Sequence, residues 1–379
     1  MLCENFRGAL RGVSPAGGVA KDPRSGAGAR GDCPPPSQLI SVVAKGIMET
    51  IDTIDFSDMW LTMDDGAQLF TRRWRVAAPV AVLHIIHGMA EHSNRYAQLA
   101  ARLQAHGIEV WAADHRGHGW SACKRNNARS GGLLGHCANG DGFARVTADI
   151  DYLNRIIQKE RQNLPLFLMG HSWGSFIAQN YIENYEGKLS IYGDTIRLSG
   201  CILSGTKGPS KGIKTALGAA LLPALAVIIG QKRQSRLVRA AAEGSFNKFF
   251  RPNRTDFDWI SRNETEVDTY VADPLCGMLC SVGFYRDMAR ALKRIHRSEE
   301  MSKIRKELPV YIFSGSADPV GDMSESFASL AVAYRHLGIK DLETVLYPGA
   351  RHDTLHETNS DEVQESLLSW LVRHCKSEL

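Results

Sequence analysis

The chain predicts an α/β architecture: a central, mostly parallel sheet with helices on both faces and an inserted helical cap. Three observations carry this prediction. Apolar runs of strand length alternate with segments of helical apolar spacing over residues 80–204. A GxSxG pentapeptide, Gly170–Gly174 (GHSWG), stands at a strand-to-helix junction. Roughly a hundred residues, too many for a simple connection, separate a strand-like run ending at Ser204 from the next one near Leu308.

The elements follow in order. From Trp60 two strands are joined at the turn Asp64–Gly66 (DDG). Val80–Ile86 (VAVLHII) is a near-continuous apolar strand, Arg95–His106 a helix and Ile108–Ala113 a strand. The Gly-rich Asp114–Ser121 (DHRGHGWS) turns away from that strand. Phe143–Gln162 places Val146, Ile150, Leu153 and Ile157 at helical spacing. Leu164–Met169 is the strand before the pentapeptide and Ser175–Glu183 the helix after it. Thr195–Ser204, Leu308–Ser314 and Leu342–Tyr347 are the remaining strands. A closing helix at Glu362–Leu371 turns Val363, Leu367, Trp370 and Leu371 toward the sheet.

The pentapeptide is expected to be a nucleophile elbow. A serine at the tip of a sharp strand-to-helix turn takes strained backbone angles, and glycines two residues to either side let strand and helix approach. Ser172 is thus the candidate nucleophile. Such a serine is inert without a base to take its proton and an acid to orient that base, in the order Ser, Asp or Glu, His. Asp318, directly beyond the Leu308–Ser314 strand, is the candidate acid, with Asp322 as its competitor. His352, in the loop after the Leu342–Tyr347 strand, is the candidate base; His356 lies where the next segment begins and ranks below it.

Acyl transfer also needs two backbone donors for the oxyanion, one from the residue after the nucleophile and one from the loop after the third strand. Trp173 supplies the first and Met89, after the flexible Gly88, the second.

The ordered segments His87–Tyr96 (HGMAEHSNRY), Asp114–Ser121 (DHRGHGWS), Gly170–Gly174, Ser314–Asp318 (SGSAD) and Tyr347–His352 (YPGARH) resemble the motifs of the monoacylglycerol lipase and lysophospholipase group of α/β-hydrolases, the serine aminopeptidase S33-like hydrolases. They run from about Trp60 to Trp370 in the family order. The resemblance implies the α/β-hydrolase fold, a triad of Ser172, Asp318 and His352, and oxyanion amides at Met89 and Trp173. Trp173 and Ser175 stand where these proteins more often carry a methionine and a glycine, a departure that bears on the acyl pocket's shape.

The composition narrows the classes. The chain has 379 residues, 44% of them hydrophobic, enough for one large core plus an insertion. Its 45 basic and 41 acidic residues are nearly balanced, which argues against a nucleic-acid partner. Eight cysteines are scattered without a C-x-x-C pair, and reduced thiols in a cytoplasmic protein are expected. Cys276 and Cys280 could sit one helical turn apart, but the local sequence offers no further metal ligands. His84, His87, His115 and His118 are expected to make structural hydrogen bonds, and neither a metal nor an organic cofactor is expected.

Three units follow. Residues 1–47, rich in Gly, Pro, Ala, Arg and Ser, are expected to be a disordered leader, which a start at Met48 would leave untranslated. Residues 48–204 and 301–379 form the core, and residues 205–300 the cap. In the cap, Thr215–Gly230 is strongly apolar, interrupted by Pro223 and flanked by lysines and arginines, and is too short for the roughly 20 residues that span a bilayer. Two readings stay open: a lid resting on an anionic lipid surface, or packing onto the core. Glu91, His92 and Arg95 likewise either meet a head group or fix the loop beside them through salt bridges.

The reaction expected is hydrolysis of the carboxylic ester of a single-acyl lipid, a monoacylglycerol or a lysophospholipid, through an acyl-enzyme. Two alternatives are a capped peptidase, which needs carboxylates to grip an amino terminus, and a non-catalytic binding protein, which typically lacks part of the triad. The head group, acyl length and oligomeric state are not encoded in these motifs.

Overall fold

The computed structural model describes residues 55–122, 133–209 and 226–375. The expected leader, most of the Thr215–Gly230 stretch, and Cys3, Cys33 and Cys123 lie outside the described residues.

Eight strands form one sheet in the order β1-β2-β4-β3-β5-β6-β7-β8. They are β1 (Phe56–Thr62), β2 (Gln68–Trp74), β3 (Ala81–Ile86), β4 (Ile108–Ala113), β5 (Leu166–His171), β6 (Gly200–Ser204), β7 (Val310–Gly315) and β8 (Leu342–Tyr347). The hairpin β1–β2 turns at Asp64–Gly66, where Gly66 has φ +82°. Strand β2 lies antiparallel to β4, and every pairing from β4 to β8 is parallel.

Because the parallel strands are covered on both faces, β3 to β7 read as continuous apolar runs, every residue of them buried. Their alternation divides the core. Val82, Ile86, Leu166 and Leu168 face the layer that holds α2 (Gly142–Glu160) and α3 (Trp173–Asn184). Leu83, Ile85, Phe167 and Met169 face α1 (Ala97–Gln104) and the closing helix.

Between β6 and β7 the described chain carries α4 (Arg236–Glu243), α5 (Glu264–Ala272), α6 (Val282–Ile295) and the one-turn α7 (Ser298–Met301). Helix α6 buries Val282, Phe284, Tyr285, Ala291 and Ile295 in the same core as α2 and α3. Among the described residues the insertion is therefore rooted in the main core chiefly by α6, with Val238 of α4 and Met301 of α7 joining it. Then α8 (Glu325–His336) follows β7, and α9 (Ser360–Cys375) follows β8.

Three elements differ from the sequence expectation. The helix expected from Arg95 begins as a 3-10 turn, Ser93–Tyr96, because the Asp114 carboxylate accepts the Ser93 amide and draws the segment toward β4; α1 then ends short of Gly107 (φ +78°). The strand expected over Thr195–Ser204 is ordered as a strand only from Gly200. Its first half pairs elsewhere: Thr195 bridges to Leu189, and the Leu198 amide donates to the Glu186 carboxylate. The strand expected from Leu308 begins at Val310, because Pro309 has no amide to give the ladder, although its carbonyl accepts from Cys201.

Helix α9 locks the sheet from below through Trp370, which is fully buried, stacks on Tyr311 (centroids 5.6 Å, 16°) and meets Phe167 edge-on. A Cβ on Gly200 would come within 2.4 Å of the Trp370 ring, so the indole fills the space that this strand glycine leaves. Truncating the ring leaves a cavity the sheet cannot close. Trp370→Ala is expected to lower unfolding stability by about 3–5 kcal/mol, read as a lower urea midpoint at unchanged slope.

Candidate active site

The elbow forms where β5 runs into α3. Ser172 has φ 53° and ψ −122°, a left-handed conformation for a residue with a side chain. Both flanking glycines are sterically required. A Cβ on Gly170 would lie 2.3 Å from the Gly174 carbonyl oxygen, and one on Gly174 would lie 2.2 Å from that of Ile86. The Ser172 amide donates to the Ser204 carbonyl at 2.9 Å, tying the turn to the end of β6.

The structure brings Ser172, His352 and Asp318 together from the ends of three strands. His352 Nε2 lies 2.8 Å from Ser172 Oγ, and its Nδ1 lies 2.9 Å from Asp318 Oδ1. Asp318 is itself oriented: the Val320 amide donates to Oδ1 at 2.9 Å and the Ser314 hydroxyl to Oδ2 at 3.0 Å. Burial resists charge on His352, but the Asp318 carboxylate overcomes it and holds the imidazole above its ordinary value. Burial likewise resists ionisation of Asp318, and the imidazole keeps its carboxyl below the usual range.

The competing residues stand elsewhere. Asp322 pairs with Lys207 at 2.6 Å. His356 is held between Asp353 (Nδ1 to Oδ2, 2.8 Å) and the Arg95 carbonyl (2.9 Å).

Met89 and Gly88 line the pocket above Ser172. A Cβ on Gly88 would approach the Ser172 Cβ to 3.2 Å and a Glu91 carboxylate oxygen to 2.9 Å, so this backbone passes close to Ser172. Trp173 is the first residue of α3. Its indole is buried against His118 (5.5 Å, near-parallel) and Phe284 (4.9 Å). The pocket has an empty volume of about 490 Å³, open solvent included, and is walled by Phe257, Trp259, Ile260, Tyr270 and Met278 from the insertion.

Around this site lies a buried charged cluster. Arg95 donates to Glu91 at 2.9 Å and to Asp353 at 2.6 Å. Glu91 also accepts from the Tyr96 hydroxyl at 2.8 Å and from the Gly88 amide. His92 lies 2.8 Å from Asp273. Of the two accounts open for Glu91, His92 and Arg95, the geometry is that of a salt-bridge network fixing the loop after β3. The four histidines His84, His87, His115 and His118 bond internally: His84 to Asn154, His87 to the Gly88 carbonyl and the His115 amide, His115 to the His87 carbonyl, and His118 to the Arg116 carbonyl.

Sequence reasoning gave no individual role to several neighbours of the site. Asp353 follows the candidate base directly, and a second carboxylate beside a histidine was the available signal. Tyr270 and Gly277, which both donate to the Ala90 carbonyl at 2.9 Å, are about 180 residues away along the chain and leave no local signal. Trp259 packs on the His352 ring at 5.2 Å and His171 on its other neighbour side at 5.1 Å.

Comparison with known proteins adds three findings. A family model described as "Serine aminopeptidase, S33" matches residues 77–359. Similar proteins include "Monoacylglycerol lipase" of Mycolicibacterium smegmatis (28% identical, covering 78% of this chain and 89% of that one) and "Monoglyceride lipase" of Homo sapiens (28%, 81% and 87%). A solved thermostable carboxyl esterase from Bacillus coagulans, crystallised with glycerol, superposes with a TM-score of 0.74 at 24% identity, over 85% of this chain and all of that one.

The cluster predicts its own titration. Burial resists ionisation of Asp353, but His356, His171 and Arg95 hold its carboxyl well below the ordinary range; burial also resists charge on His356, which Asp353 nevertheless raises. The carboxylate thus stabilises the fold above the unfolded value of about 4 and loses this as pH falls through its folded value; His356 contributes below its unfolded value of about 6.5 and loses this as pH rises through its folded value. Asp353→Asn is expected to cost about 3 kcal/mol. The gap from the parent, measured by urea unfolding, should be widest between about pH 4 and 6.5.

Proposed function

The chain belongs to the serine aminopeptidase S33 family and is a carboxylic ester hydrolase; from that premise we propose that it cleaves the ester of a single-acyl lipid through a Ser172 acyl-enzyme. The observation that carries this reading is the continuous line from Ser172 Oγ through His352 to Asp318, with bonds of 2.8 and 2.9 Å. His352 takes the serine proton as Oγ attacks the ester carbonyl, and Asp318 stabilises the imidazolium. The amides of Met89 and Trp173 hold the tetrahedral oxyanion, each donor contributing on the order of 100-fold to 1000-fold in rate. The alcohol leaves with a proton from His352. Water, activated by the same imidazole, then attacks the acyl-enzyme, releasing the fatty acid and restoring the serine.

Residues 205–300 act as the cap, and its apolar wall is the reason to read an acyl chain as the occupant. Phe257, Trp259, Ile260 and Met278 offer a surface suited to methylenes, worth about 0.8 kcal/mol for each one buried. Monoacylglycerol is the first reading, because the similar proteins of Mycolicibacterium smegmatis and Homo sapiens carry that name; a "Phospholipase YtpA" of Bacillus subtilis, 24% identical, supports lysophospholipid as the second. The peptidase reading is weaker. The carboxylates at the pocket already have partners: Glu91 has Arg95, Asp353 has Arg95 and His356, and Glu243 has Tyr285 and Arg239, leaving none poised for an amino terminus.

Among the described residues no helix is long and apolar enough to cross a membrane. Surface contact is a different matter. Val227, Ile228 and Leu237 are 80–85% exposed beside Lys232, Arg233 and Arg236, the composition of a patch that rests on anionic lipid.

Three outcomes test this reading. Fatty-acid release should occur from monoacylglycerol, lysophospholipid or both, and Ser172→Ala should abolish it; no release from folded parent protein would overturn the lipid reading. Asp318→Asn should lower kcat by about 10,000-fold. Because the neutral imidazole is the base and Asp318 raises its value, the acid limb of kcat/KM should lie above the ordinary imidazole value of about 6.5 in the parent and move down in the variant. The triple change Val227→Ser, Ile228→Ser, Leu237→Ser should weaken binding to anionic vesicles by more than about 10-fold while short-ester hydrolysis is unchanged.

A further inference from the structure

We propose that His92, Asp273 and Cys276 form a binding site for a zinc-class divalent transition metal, bridging the insertion to the loop after β3. Among the described residues these three offer one nitrogen, one oxygen and one sulfur atom, all within 4.8 Å of one another. That donor set suits Zn²⁺, which takes thiolate, imidazole and carboxylate in tetrahedral sites, at about 2.3 Å to sulfur and 2.0–2.2 Å to nitrogen and oxygen. Ligand atoms of one such ion lie about 3.5 Å apart, so the trio needs only small side-chain rotations.

Local folding pre-forms the site. Asp273 and Cys276 sit at the two ends of a single turn, in which the Cys276 amide donates to the Asp273 carbonyl at 3.0 Å. The Leu275 amide donates to Asp273 Oδ1 at 2.8 Å, orienting the carboxylate and leaving Oδ2 turned toward His92. This is the outer-sphere support that metal carboxylates usually have. His92 is 3% exposed and meets the Asp273 carboxylate through Nε2, so Nε2 is the ligand atom it offers and Nδ1 keeps the ring proton. Cys276 is a free thiol, 9% exposed, and the Asp273 side chain is 15% exposed, so water can reach a fourth coordination position.

The position gives the site its consequence. Directly after Cys276, the Gly277 amide donates to the Ala90 carbonyl, as does the Tyr270 hydroxyl. An occupied site would replace the third link between the insertion and the loop of Gly88–His92, the His92–Asp273 hydrogen bond, with much stronger metal bonds. The inference rests on this ligand geometry and is independent of the substrate reading.

The test is Co²⁺ titration of the full chain, followed by the near-ultraviolet thiolate-to-cobalt charge-transfer absorption, with Zn²⁺ displacement and Zn²⁺-dependent melting alongside. The parent should bind one equivalent with a charge-transfer band and melt at higher temperature with Zn²⁺. Cys276→Ser should lose the band and the melting shift. Asp273→Asn should weaken binding by more than about 10-fold, whereas Cys280→Ser and Ser172→Ala should bind as the parent does. Circular dichroism establishes that each variant is folded. Absence of the band in the parent, or its survival in folded Cys276→Ser, would overturn the site.

Discussion

The fold turns on one strained residue. Ser172 holds a left-handed backbone at the junction of β5 and α3, and nothing intrinsic to serine favours it. It persists because the surroundings leave no alternative. The Gly174 backbone lies so close to the Ile86 carbonyl that a methyl group would not fit, and the Ser172 amide is fixed to the end of β6. The order of the strands follows from the same demand. Having β3 on one side of β5 and β6 on the other places the loop of Met89 and the Ser204 carbonyl on opposite flanks of the elbow. Ser172, His352 and Asp318 then gather at the carboxyl ends of a parallel sheet, where α/β proteins build their sites.

A second layer of organisation is electrostatic. Arg95 is shared between Glu91, which sits on the same loop as Met89, and Asp353, the residue after His352. One guanidinium therefore connects the backbone beside Ser172 to the loop of His352. All three side chains are 5–7% exposed, so the charges lie where water screens them little and the geometry is rigid. Sequence neighbours do not make this connection; the parallel sheet does, by bringing the loops after β3 and β8 to one end.

Much of this was legible in the sequence, and the part that was not has a common cause. GHSWG, the apolar strands and the residues just beyond β7 and β8 are local signals, each readable within about ten residues. Strand ends were less legible where side chains diverted the backbone. Glu186 captures the Leu198 amide before β6 can begin, and Asp114 draws Ser93 into a 3-10 turn, choices made by residues 12 and 21 positions away. The insertion's grip on Ala90 and the Arg95 cluster depend on pairs separated by 180 and 258 residues, for which no spacing rule exists. Trp173 is an intermediate case. Its identity marks a departure from the related motifs, yet only the structure places its indole behind the elbow, stacked on His118, instead of in the pocket.

The double grip on Ala90 bears on how substrates are told apart. Ala90 itself holds φ 57°, and its carbonyl receives both the Tyr270 hydroxyl and the Gly277 amide from the insertion, one residue beyond Met89. A guest that wedges the insertion outward therefore pulls on a peptide two units from the Met89 amide, the proposed oxyanion donor. Under the proposed acyl-enzyme reading, misfit reaches the reacting carbonyl as lost alignment, so an ill-shaped ester can bind well and still turn over slowly. In that reading selectivity resides in the rate of the bound complex more than in affinity, and turnover, not binding alone, ranks the substrates.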